Sequence, residues 1–233
     1  VYDMFARLNS NNIVLNKQEI RNSKYWGEFK VLVYRLSSKY REFFLSNKLL
    51  SDKECARMGD SELVNSLLIL LIEGIVKETP NSIENTYKKY DKEFANSETI
   101  EGQFHSLMNI LSQIYLCLNG ASGCFSNKNY FFTLYCVIAN QMFGIVNSEL
   151  PRIDAFSSNN IENNLPSLCN IITQFIHDYD TNLEDRDNLY GLHIEYTEFA
   201  KHHSIRTTGK TERLHRISFL NSAIERAAAN DNE

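Results

Sequence analysis

Helix breakers are nearly absent from long stretches of this chain. Among 233 residues there are 3 Pro and 9 Gly. Between them run apolar positions spaced by three and four, which is the period of one helix face. In WGEFKVLVYRLSSKYREFFL, the residues Phe29, Val33, Leu36, Tyr40 and Phe43 or Phe44 form one such stripe. DSELVNSLLILLIEGIVKE is apolar nearly all round, which predicts a buried central helix starting at Asp60. Alternating strand patterns, internal repeats and low-complexity tracts do not occur. The expected fold is all-α, an orthogonal bundle of about nine helices.

Capping signals divide the chain. Asn16 followed by Glu19 is a capping-box pattern, and Ser51 or Asp52 can open a short helix that Gly59 stops. Pro80 stands at a helix start, ahead of a Tyr87, Tyr90, Phe94 stripe. GASG at 120–123 ends a long amphipathic helix, and NYFFTLYCVIANQMFG reads as core. One helix is expected from about Pro166. After it come the acidic loop TNLEDRDN and IEYTEFAKHHS, then a final helix with Leu214, Ile217, Leu220 and Ile224 on one side.

Charge narrows the choice of function. The net charge is -5, so no global positive field attracts nucleic acid. Locally the balance differs: ten Lys/Arg face five acids between Lys17 and Arg57, and ten acids face two Arg between Glu149 and Glu198. Lys201 to Arg216 holds five basic residues, one acid and three His. Such runs serve as solvated faces or phosphate contacts, with Lys30, Arg206, Lys210 and Arg213 as DNA-contact candidates. Five cysteines without a CxxC pair read as reduced, mostly buried thiols of a cytoplasmic protein. The longest apolar run, Leu67 to Ile72, is too short to span a bilayer.

Among motifs, TTGKT at 207–211 lacks the first Gly of a phosphate loop, since position 204 is Ser. It reads as a basic loop in which Thr208 or Thr211 caps the last helix. His202 and His203 lack partner ligands for zinc, so no metal site is expected. Arg186 and His193 offer a ribonuclease-like acid/base pair, a second alternative that Gly191 and the acidic EDRD disfavour.

The opening FARLNSNNIVLNKQEIRN sets an Asn-rich turn before a short helix that carries Gln18, Arg21 and Asn22. By pattern this is a well-capped turn or one wall of a phosphate site, with Arg7 and Arg21 suited to bidentate phosphate contacts. The stretch resembles the GmrSD restriction endonuclease N-terminal family, whose front half is ParB-like. Phe5, Arg7, Leu8, Asn9, Ser10, Leu15, Gln18, Glu19, Ile20, Arg21 and Asn22 fall in its pattern, then Gly27 and Phe29. RMGDSELV, through Arg57, Asp60, Glu62, Leu63 and Val64, and RTTGKTERLHRISFLNSAI are similar to two later patterns of that family.

That resemblance implies a nucleotide-dependent DNA restriction or antiphage defence protein using a nucleoside triphosphate and Mg²⁺. Arg7, Asn9, Gln18, Arg21 and Asn22 would form the nucleotide or phosphate wall. The family's upstream D-G-Q-Q-R motif and the HNH nuclease pattern of some members do not occur here. The chain is therefore expected to be a fragment, inactive alone. Residues 1–26 would end the α+β ParB-like unit and 27–233 would be the helical domain. DNA, a nucleotide, an oligomer mate or a partner subunit are the partners this reading admits, and no membrane. A non-catalytic helical module that binds DNA or protein is the first alternative.

Overall fold

The computed structural model describes residues 15–157, 160–184 and 192–230. Among them are eleven α-helices and no strand, as the breaker-poor sequence predicts. The helices are α1 (Lys17–Lys24), α2 (Glu28–Ser46), α3 (Asp52–Ala56), α4 (Gly59–Glu73), α5 (Pro80–Lys89) and α6 (Ser97–Leu118). They continue with α7 (Lys128–Phe143), α8 (Asn160–Asn163), α9 (Leu165–Glu184), α10 (Leu192–Ser204) and α11 (Lys210–Asn230). Short 3₁₀ turns stand at Gly123–Ser126 and Asp154–Phe156. The count exceeds nine partly because α8 is separate from α9.

Helix α7 is the centre. Every residue from Phe131 to Gln141 is buried, so the helix needs apolar neighbours all round. It packs against α4, α6 and α11. Helix α4 buries Leu63, Val64, Leu67, Leu68, Ile69 and Leu70 and packs against α2 as well. The α2 stripe is inside as expected: Phe29, Val33, Leu36 and Phe44 are buried, with Tyr40 and Phe43 packed at its edge. A fully buried aromatic or Leu side chain stabilises by roughly 1.5–3 kcal/mol before chain entropy is counted. On α11, Ile217, Leu220 and Ile224 are buried and Leu214 is half-buried.

The predicted caps form at Asn16, at Ser51 and, beside Pro80, at Thr79. Two details differ. Gly59 does not stop α3; Met58 does, in a left-handed conformation with φ 61°, and Gly59 opens α4. A Cβ on Gly59 would lie 2.9 Å from the Glu54 carbonyl oxygen, so the glycine serves a close approach. Phe94 lies beyond α5 rather than on it. Its backbone N–H donates to Glu28 (2.8 Å), and its ring packs on Tyr90 with centroids 4.5 Å apart.

All five cysteines are free thiols, with Cys55, Cys136 and Cys169 buried. Among the described residues no helix is long and apolar enough to cross a membrane.

Candidate anion-binding cavity

The cap on α1 fixes which of its side chains point inward. Asn16 Oδ1 accepts from the backbone N–H groups of Gln18 and Glu19, both at 2.9 Å, and Glu19 accepts from Asn16 N–H at 2.7 Å. The cap is then tied to the end of α3. Asn16 Nδ2 donates to the Arg57 carbonyl (2.7 Å), and Arg57 donates twice to the Glu19 carboxylate, at 2.7 and 2.9 Å. Partial burial favours protonation of Glu19, but Arg57 and the Asn16 N–H outweigh it and hold this carboxyl below its ordinary pKa. Residues 17–24 are thus joined firmly to the helical body.

So anchored, α1 turns Gln18 and Arg21 into the interior, each 3% exposed. Gln18 closes a ring of three side chains. Its Nε2 donates to Tyr87 Oη (3.0 Å), Tyr87 Oη donates to Asn65 Oδ1 (3.0 Å), and Asn65 Nδ2 donates back to Gln18 Oε1 (2.7 Å). Arg21 Nε joins the same Gln18 oxygen at 3.0 Å. Its two terminal nitrogens have no hydrogen-bond partner among the described residues, and Arg21 lines a cavity of about 570 Å³.

Helix α11 supplies a further part of the cavity's lining. Arg213 and Arg216 stand three residues apart, are both buried and both line this cavity. Arg213 Nη1 pairs with Glu78 Oε1 (3.0 Å) and donates to the Val76 carbonyl (3.2 Å), while its guanidinium lies 4.3 Å from the Phe132 ring centroid. Arg216 donates to the carbonyls of His202 (2.6 Å) and Thr207 (2.9 Å). The Nε atoms of both arginines are buried without a partner among the described residues. Such orphaned donors cost free energy unless something accepts from them. Burial, and then the nearby Arg213 charge, push the Arg216 pKa down to about 10, which still leaves it cationic at neutral pH. Glu78 also accepts from Ser66 Oγ (2.6 Å), and its backbone N–H donates to Thr208 O (3.1 Å), tying the 205–209 turn to the cavity. Lys17, Lys128 and Glu62 line the same cavity from exposed positions.

Of the residues expected to bind phosphate, this arrangement separates the three that are described, Gln18, Arg21 and Asn22. Arg7 and Asn9 lie outside the described residues. Arg21 faces the cavity; Gln18 is consumed by the internal ring, and Asn22 is half-buried away from the cavity. Of the DNA-contact candidates, Arg206 and Lys210 are exposed, but Arg213 is buried and ion-paired. Lys30 lies 4.0 Å from the Trp26 ring centroid, and partial burial lowers its pKa. Much of the basic run from Lys17 to Arg57 is neutralised, by Lys24–Glu84, Arg35–Glu101, Arg41–Asp60 and Arg57–Glu19 pairs. Arg186 and the His193 side chain fall outside the description. The sequence reading misses Glu78 and Arg216. Arg216 shares a face with Arg213 by its i+3 spacing, which is a usable signal. Glu78 is 135 residues from its partner, and no local pattern announces it.

No group of three or more His, Cys, Asp or Glu fit to hold a metal occurs among the described residues. The cavity's two carboxylates, Glu62 exposed and Glu78 ion-paired, do not make a donor set for the Mg²⁺ that the resemblance implies.

Behind Arg216 lies a buried histidine. His203 stacks on Tyr130 with centroids 3.5 Å apart; its Nδ1–H donates to the Phe199 carbonyl (2.8 Å), and Nε2 faces Thr133 Oγ1 (3.0 Å). Burial, with Arg216 adding to it, pushes its pKa down to about 3. The unfolded chain binds a proton near pH 6.5, and the folded one does not until far lower pH. His203 therefore contributes its full stability above pH 6.5 and loses it as pH falls towards 3. Urea unfolding should show stability falling by about 1 kcal/mol per pH unit between pH 6 and 4. That slope should be shallower in His203→Gln; an equal slope in both proteins contradicts the assignment.

Compared with known protein families, curated proteins and solved structures, the chain matches none of them.

Proposed function

We propose that the cavity between α1, α4 and α11 is a phosphate-binding site, and that this chain is the helical part of a nucleotide-dependent factor acting on DNA in restriction or antiphage defence. One observation carries this reading. The three separate stretches that resemble the GmrSD family all contribute to the wall of one cavity. Asn16, Lys17 and Arg21 come from the first, Gly59, Glu62 and Leu63 from the second, and Thr207, Thr208, Arg213 and Arg216 from the third. They bring buried guanidinium groups with unused N–H donors, which is the chemistry that recognises phosphate oxygens. The exposed cations Arg206 and Lys210, beside the cavity-lining Thr207 and Thr208, suit a nucleic-acid backbone near its mouth.

In this role Arg21 neutralises phosphate charge, while Gln18 holds the Arg21 Nε in place. The nucleoside triphosphate and Mg²⁺ that the resemblance implies would need metal donors from outside this cavity. Calorimetric titration with inorganic phosphate tests the site. Binding should be saturable at low salt, and Arg21→Gln should weaken it by about tenfold to a hundredfold, the loss of one charge-assisted contact. Equal affinity in wild type and variant, or no saturable binding, overturns the proposal.

A further inference from the structure

We infer that the cavity takes a phosphate monoester dianion carrying an apolar body, rather than a polyphosphate chain. This rests on the cavity being a phosphate site and narrows its ligand. Arg21, Arg213 and Arg216 are 3%, 5% and 2% exposed, and the buried carboxylate among the lining residues is Glu78, at 8%. Glu78 neutralises Arg213 at 3.0 Å. Among the described residues, Arg21 and Arg216 have no carboxylate within ion-pair distance, although Glu212 acts on Arg216 from farther off. Charges removed from water are costly unless paired, so the complementary ligand brings about two negative charges. A phosphate monoester carries about −1.5 to −2 at pH 7. A triphosphate brings more than the interior balances. Lys17 and Lys128 are exposed, where solvent screens them.

The second step is shape. About 570 Å³ is far more room than a bare phosphate occupies and lies within the roughly 300–1,000 Å³ of organic-ligand sites. Leu63, Pro80, Ile83 and Phe132 give the cavity an apolar side. One face of Phe132 already carries the Arg213 guanidinium, so cationic and apolar walls meet there. The phosphoryl group lies among the arginines, and the organic body lies over the apolar side.

The test titrates the whole chain, at one ionic strength, with inorganic phosphate, phenyl phosphate, adenosine monophosphate, adenosine triphosphate and adenosine. At least one of the two monoesters should bind tenfold or more tighter than phosphate. The triphosphate should bind no tighter than the tighter monoester, and adenosine should not bind. Thr208→Glu, at an exposed cavity position, adds a carboxylate and should abolish binding of the monoesters while thermal unfolding stays near wild type. Thr208→Gln, which adds similar bulk without the charge, should bind them at least tenfold more tightly than Thr208→Glu does. If phosphate binds and neither monoester is tighter, the phosphate site stands and this inference falls. If the triphosphate is tightest, or Thr208→Glu binds unchanged, this inference also falls. If no anion binds, both fall.

Discussion

Glu78→Gln should lower the stability of the folded chain by about 3–5 kcal/mol, the usual cost of removing one partner of a buried ion pair. The pair with Arg213 is buried on both sides, each side chain 6% exposed. Without the carboxylate charge, Arg213 joins Arg21 and Arg216 as an uncompensated interior cation. For a domain of this length, thermal unfolding should fall by roughly 6–20 °C, at about 2–4 °C per kcal/mol. Gln keeps the volume and can still accept from Ser66, so packing loss contributes little. The variant should also regain more from phosphate than wild type does, because an added anion replaces the missing charge. A ligand present at a hundred times its dissociation constant restores about 2.7 kcal/mol. Differential scanning calorimetry with and without phosphate reads both effects. An unfolding temperature within 1–2 °C of wild type would show that Glu78 does not balance this charge.

Gln18→Ala should cost about 2–4 kcal/mol, through groups left behind rather than volume lost. The ring of Gln18, Tyr87 and Asn65 is closed, and Arg21 Nε leans on the same Gln18 oxygen at 3.0 Å. Truncating Gln18 strips an acceptor from Asn65 and Arg21 and a donor from Tyr87, and each orphaned buried group costs roughly 1–3 kcal/mol. Tyr87 is buried in this ring, so water does not easily replace the lost partner. Phosphate affinity should fall as well, since Arg21 loses the contact that orients it. Chemical denaturation measures the first effect and calorimetric titration the second. Full stability with weakened phosphate binding would instead place Gln18 in the ligand shell, as the sequence alone suggests.

That difference shows what sequence can and cannot display. The helices were legible because period and caps are local. The Asn16 and Ser51 capping boxes, the Thr79–Pro80 start and the α2 stripe each involve residues within a few turns. Arg21 was legible as a candidate because α1 carries it beside polar neighbours. Gln18 looks the same in sequence, yet its environment is set by Asn65 and Tyr87, 47 and 69 residues away. Arg213 reads as a DNA-contact candidate in a basic run. Burying it depends on Glu78 and Phe132, which only the packing of α11 against α7 and the 74–79 segment brings together. Gly27, where the helical domain is expected to begin, packs closely on a distant segment: its N–H donates to Asp91 (2.9 Å), and a Cβ there would meet the Asp91 carbonyl oxygen at 1.9 Å.

The most direct measurement follows the arginine side-chain Nε–Hε signals by nuclear magnetic resonance during a phosphate titration. Arg213 and Arg216 hold buried Nε–H groups with no acceptor among the described residues, and Arg21 shares the cavity with them. These signals should shift together and saturate at one common dissociation constant. Unmoved cavity arginines, with linear shifts confined to surface residues such as Arg206, would contradict it.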